Sequence, residues 1–134
     1  MITWEKYFMG IAKLSAQRSK DPHTQVGAVI VDSNNKILSI GYNGMPRGCQ
    51  DYDFSWEVPE KYLYVVHAEL NAILNYKGES LEGARMYVTH FPCNECVKAI
   101  IQAGIKEIIY ENESKKTEPA IKMLDYVGVK YRQC

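Results

Sequence analysis

The stretch from residue 67 to residue 96, HAELNAILNYKGESLEGARMYVTHFPCNEC, constrains this chain more than any other. It opens with His67-Ala68-Glu69 at the head of an apolar-periodic segment, passes through a short β-like run and closes on Pro92-Cys93-Asn94-Glu95-Cys96. One imidazole and two thiolates can fill three corners of a zinc tetrahedron and leave the fourth for water. Helix N-termini at both places would stabilise the thiolates, and Pro92 suits the residue that launches the second helix. Glu69, two residues from His67, is close enough to handle that water's proton without binding the metal.

Each piece alone has a plainer reading. A lone histidine on an apolar helix is more often a hydrogen-bonded core residue than a ligand, and Cys93-x-x-Cys96 by itself suits a redox pair or half of a structural zinc site. A redox pair does not require His67-Ala68-Glu69. A closed site wants a fourth Cys or His at knuckle spacing, and His23, His90, Cys49 and Cys134 are not so placed. The combination therefore reads as an open, catalytic metal centre, with Cys49 and Cys134 as free packing thiols.

With 134 residues the chain is the size of one domain, spanning 1–134 with one core and no linker. Residues 3–19 place Trp4, Tyr7, Phe8, Ile11 and Leu14 on one helical face, with Thr3 as N-cap and a stop before Asp21-Pro22. Strands are expected at 26–31 and 36–42 around a turn at 32–35, then a long irregular connection through 43–61. A helix over 66–76, ended by Gly78, a strand at 84–89, a helix at 94–103 capped by Gly104 and a strand at 105–110 follow. A helix at 118–126 and a strand at 127–131 around Gly128 close the chain. A hairpin followed by alternating helices and strands predicts a mixed sheet in a layered α/β fold.

Sixteen basic and sixteen acidic residues leave a formal net charge of zero, which disfavours a nucleic acid polymer or an anionic membrane as partner and points to a small ligand. The N-terminus lacks the layout of a secretory signal and no apolar run approaches bilayer length, so the expected location is cytoplasmic, or the host cytoplasm for a viral source.

The stretches SAQRSKDPHTQVGAVIVDSNNKILSIGYNGMPRGC at 15–49, VVHAELNAIL at 65–74 and MYVTHFPCNECVKAIIQAGIKEIIY at 86–110 resemble the deoxycytidylate (dCMP) deaminases of the cytidine deaminase-like superfamily. His-x-Glu with Pro-Cys-x-x-Cys is the shared mark of zinc nucleobase deaminases. The resemblance implies a three-layer α/β/α cytidine deaminase-like fold, with a central mixed five-stranded sheet flanked by helices. It also implies hydrolysis of dCMP to dUMP and ammonia, which feeds thymidylate synthesis. His67, Cys93 and Cys96 would hold Zn²⁺ and Glu69 would carry protons. Asn43 would touch sugar or base, its plainer reading being a left-handed turn residue before Gly44. The backbone around His90 and Phe91 would lie near the pyrimidine amino group.

For a phosphate, Arg18, Lys20, Thr24 and Gln25 offer suitable donors, with Lys20 and Thr24 preferred. By the same resemblance the protein would be a homo-oligomer, a hexamer, activated by dCTP and inhibited by dTTP. The effector site would include Gly41, Tyr42, Asn43, Gly44 and Arg47, with Mg²⁺ accompanying the triphosphate. Two features depart from the pattern: residues 50–64 lack the Cys and His of a second zinc site, and 111–119 lacks an aromatic residue found near the substrate in certain relatives. A deaminase of free nucleosides or RNA, and a zinc-stabilised domain without activity, are the competing readings.

Overall fold

The computed structural model describes residues 1–134. Five strands, β1 (Gly27–Val31), β2 (Ile37–Tyr42), β3 (Arg85–His90), β4 (Glu107–Asn112) and β5 (Lys130–Gln133), form one sheet in the order β2-β1-β3-β4-β5. β1 runs antiparallel to both β2 and β3, whereas β3–β4 and β4–β5 are parallel, so the expected mixed five-stranded sheet is observed.

Helices cover both faces. α1 (Trp4–Ala16) packs on one, where Phe8, Met9 and Ala12 meet Val29, Val31, Tyr87 and Ile109. On the other lie α2 (Ala68–Asn75), α3 (Asn94–Gln102) and α4 (Glu118–Val127), closing over Ala28, Ile30, Met86, Val88 and Ile108. Alternate residues of β1 thus enter different cores, which is why GAVIV is apolar at every position instead of alternating with polar residues.

Thr3 caps α1 as expected, its hydroxyl accepting from Lys6 N at 3.1 Å. The buried face of that helix, however, is Phe8, Met9, Ala12 and Ala16, while Trp4, Tyr7 and Leu14 are 57%, 42% and 66% exposed. The alanines let α1 approach the sheet closely and leave the bulky residues at the rim, where Trp4 stacks on Phe8. The last strand also moves: Val127 ends α4, Gly128 adopts φ 82° as its left-handed cap, and β5 starts only at Lys130.

α2 is laced to β2. Ser39 Oγ donates to Ala72 O at 2.6 Å, Asn71 Nδ2 to Tyr42 O at 2.8 Å and Asn75 Nδ2 to Ile40 O at 3.1 Å. Gly41 permits this approach, because a Cβ there would fall 2.4 Å from Ala72 N and 2.5 Å from Ala68 O. The long connection after β2 holds single 3₁₀ turns at Asp51–Asp53 and Glu60–Leu63, and a two-way backbone bridge between Gly44 and Val66 returns it to the sheet just before His67.

Candidate active site

His67 is the N-cap residue of α2 and Cys93 that of α3, and neither side chain is spent on capping. Both therefore stand at the start of a helix, beside its positive end, with their side chains free for other partners. His67 Nδ1 lies 3.3 Å from Cys96 Sγ and 3.5 Å from Cys93 Sγ, and the three donor atoms fall within 4.8 Å of one another. Zinc bonded tetrahedrally to nitrogen and sulfur separates such donors by roughly 3.5 Å, so the set fits that ion.

The charges suit a metal as well. The Cys93 thiol is pulled down to about 3, first by the Cys96 S–H and then, against the effect of burial, by His67. Cys96 is pushed up, by Cys93 and by burial, and the Cys93 thiolate raises His67. A thiolate, a thiol and an imidazole sharing protons in this way would release them to solvent on binding a divalent cation.

Glu69, on the first turn of α2, is 4% exposed and lines a cleft with Thr24, Asn43, Lys61, His67 and Lys115. Burial, joined by the nearby Cys93 thiolate, raises its carboxyl above the ordinary glutamate value, although its own backbone N–H and His67 oppose this. A carboxyl poised nearer neutrality is suited to taking and returning a proton.

The remaining candidates divide. Thr24 and Asn43 line the cleft. Asn43 is not a left-handed turn residue; its buried amide clamps the chain, Oδ1 accepting from Val26 N and Nδ2 donating to Thr24 O, both at 2.9 Å. Lys20 lies outside the cleft, exposed and paired with Asp51 at 2.6 Å. Arg18 is also exposed, and Gln25 donates to Ser19 O. His90 bonds Thr89 Oγ1 at 2.9 Å, and burial and then the Lys115 ammonium push its imidazole down, so it is neutral at pH 7. The Phe91 ring is wholly buried, edge-on to Tyr110 and Tyr131, which leaves only its backbone for a ligand. Gly41 is buried under α2, whereas Tyr42 and Arg47 are exposed and Gly44 sits in the bridge to Val66.

Three charged residues of the cleft are not among the candidates the sequence offers: Asp21, Lys61 and Lys115. Lys115 stands in the segment that lacks an aromatic residue. Its neighbour Lys116 anchors that segment, with Nζ 5.5–5.6 Å from the ring centres of Phe91, Tyr110 and Tyr131 and 3.2 Å from the Tyr110 hydroxyl.

Residues 2–112 match the family model described as the cytidine and deoxycytidylate deaminase zinc-binding region. A probable deoxycytidylate deaminase of Drosophila melanogaster is 51% identical, with 97% of this chain and 71% of that protein covered. The Homo sapiens deoxycytidylate deaminase is also 51% identical, over 98% of this chain and 80% of its own length. The crystal structure of the cyanophage S-TIM5 dCMP deaminase in complex with dCMP and dUMP superposes with a TM-score of 0.80 at 36% identity, covering 97% of this chain and 96% of that one. On sequence and architecture alike, the chain belongs to the deoxycytidylate deaminases of the cytidine deaminase-like superfamily.

Proposed function

We propose that the chain hydrolyses dCMP to dUMP and ammonia as a single deaminase domain in the cytoplasm, supplying a precursor of thymidylate. The observation that carries this is the pairing of a His67–Cys93–Cys96 donor set with a buried Glu69 in a cleft walled by Thr24 and Asn43. Zinc bound by those three side chains supplies Lewis-acid activation of water near neutral pH. Glu69 accepts the proton released as water adds to the ring. It then returns protons to the ring nitrogen and to the departing amine. Thr24 and Asn43, tied to each other through backbone and amide, set the shape of the wall that meets the nucleoside.

Regulation and assembly go with this proposal: a homo-hexamer activated by dCTP with Mg²⁺ and inhibited by dTTP, with the effector site at Gly41, Tyr42, Asn43, Gly44 and Arg47, of which Tyr42 and Arg47 are exposed. Exposed Trp4, Tyr7 and Leu14 on α1, with Met1 and Ile2 just ahead of it, support association, since grouped apolar side chains favour burial against a partner. Four unpaired cysteines suit a reducing compartment.

The test is a substrate panel on the zinc-loaded protein. Ammonia should appear from dCMP with loss of pyrimidine absorbance, and kcat/KM for deoxycytidine should be lower by about 10²-fold or more, as expected when a charged contact is missing. No turnover of dCMP, with or without dCTP and Mg²⁺, would contradict the reading.

A further inference from the structure

A nucleoside monophosphate needs cationic donors at its phosphate end, and Arg18 and Lys20 lie on the exposed surface. The cleft holds another ammonium. Lys61 is 5% exposed, and its Nζ lies 2.9 Å from Asp21 Oδ2 in a pair whose side chains are 7% and 1% exposed. Lysine is rarely buried, and an apolar pair of similar volume usually stabilises a fold as well or better, so packing alone does not account for this one.

The pair sits where two loops meet. Asp21 Oδ1 accepts from His23 N at 2.8 Å and Thr24 N at 3.2 Å, so both carboxylate oxygens are turned to protein donors. The Lys61 carbonyl accepts from Tyr64 N at 3.0 Å and Val65 N at 2.8 Å, on the path into His67. An ammonium has three N–H groups. One is spent on Asp21, no other protein hydrogen-bond acceptor lies within reach, and the Tyr62 ring stands 5.7 Å away. Two donors therefore remain in the wall of the cleft that holds Glu69. Lys115 lines the same cleft without an ion-pair partner of its own.

We propose that Lys61, fixed by Asp21, is a specificity-determining residue that donates its two free N–H groups to the phosphate of the nucleotide. This rests on the deaminase reading for the identity of the ligand. The pair thereby ties phosphate recognition to the shape of the wall, because Asp21 also holds the Thr24 backbone whose carbonyl anchors Asn43.

Calorimetry on the zinc-loaded full chain tests it, with dUMP and deoxyuridine as ligands. The variant is the double substitution Asp21→Asn/Lys61→Met, which removes both charges together and keeps an amide oxygen for His23 and Thr24. The wild type should prefer dUMP, and the double variant should lose about tenfold or more of that preference, the value of a charge-assisted contact, with deoxyuridine affinity unchanged. An unchanged preference, or an equal loss for both ligands, overturns the assignment. Asp21→Asn alone gives a second route: phosphate becomes the sole anionic partner of Lys61, so dUMP should raise its Tm by more than it raises that of the wild type. An equal or smaller rise overturns the proposal. Should the wild type fail to turn over dCMP while these preferences hold, the deaminase reading falls and the role of Lys61 stands.

Discussion

Glu69 and Asp21 line one cleft and are buried to a similar degree, yet their carboxyls move in opposite directions. Glu69 is raised because burial dominates. At Asp21 burial also pushes upward, but the His23 N–H, Lys61 and the Thr24 N–H together outweigh it and hold the carboxyl below its ordinary 3.8. The first arrangement suits a proton carrier and the second a fixed anion. A depressed carboxyl contributes stability that is complete above about pH 4 and is lost as pH falls through its lower, folded value. Asp21→Asn should accordingly cost roughly 3–5 kcal/mol at pH 7, since Lys61 is left buried without its partner. Urea unfolding of wild type and variant should show that gap closing at acid pH; a gap independent of pH would show that Asp21 is not ionised in the folded protein.

At the scale of elements, the catalytic geometry depends on how α2 lies against β2. Gly41 is the contact point, and here an expected effector residue has a packing role. Gly41→Ala places a methyl group against the backbone of Ala68 and Ala72, which cannot swing aside, and should destabilise by about 3 kcal/mol. Turnover should fall as well, because α2 carries Glu69 and His67 caps its start. Gly44→Ala is the control, since its added Cβ meets nothing within 4 Å. Equal denaturation midpoints for the two variants would contradict this view of Gly41.

Elements with their own punctuation were legible in the sequence: Thr3 at the head of α1, Pro92 before α3, and the apolar β1. The buried side of α1 was not, because periodicity marks a face by its large residues while Ala12 and Ala16 chose the one that packs. The role of Gly128 is not legible either, because a glycine beside β-branched valines fits a strand as well as the helix end it caps. The metal donors were readable from spacing, since Cys93 and Cys96 are three apart and His67 stands beside its acid. Lys61 and Asp21 were not, because they lie forty positions apart and only the closure of two loops makes them a pair.

Across the whole molecule, zero net charge conceals a cleft that gathers two lysines and two carboxylates beside the His67–Cys93–Cys96 cluster, a concentration of charge that a composition cannot display. No helix is long and apolar enough to cross a membrane. The helices capped by His67 and Cys93 and the two loops joined by the Lys61–Asp21 pair bring the donor set, Glu69 and the cleft wall together.

Comparison of the zinc-loaded wild type with Glu69→Gln, in zinc content and in ammonia released from dCMP, tests the centre of this account. The variant should keep one zinc per chain and a Tm no lower than the wild type, because a buried carboxyl has been replaced by a neutral isostere, while kcat drops by about 10²–10⁴. Full turnover in that variant, or loss of its zinc, would contradict the assignment of Glu69 as the proton carrier beside a three-ligand metal site.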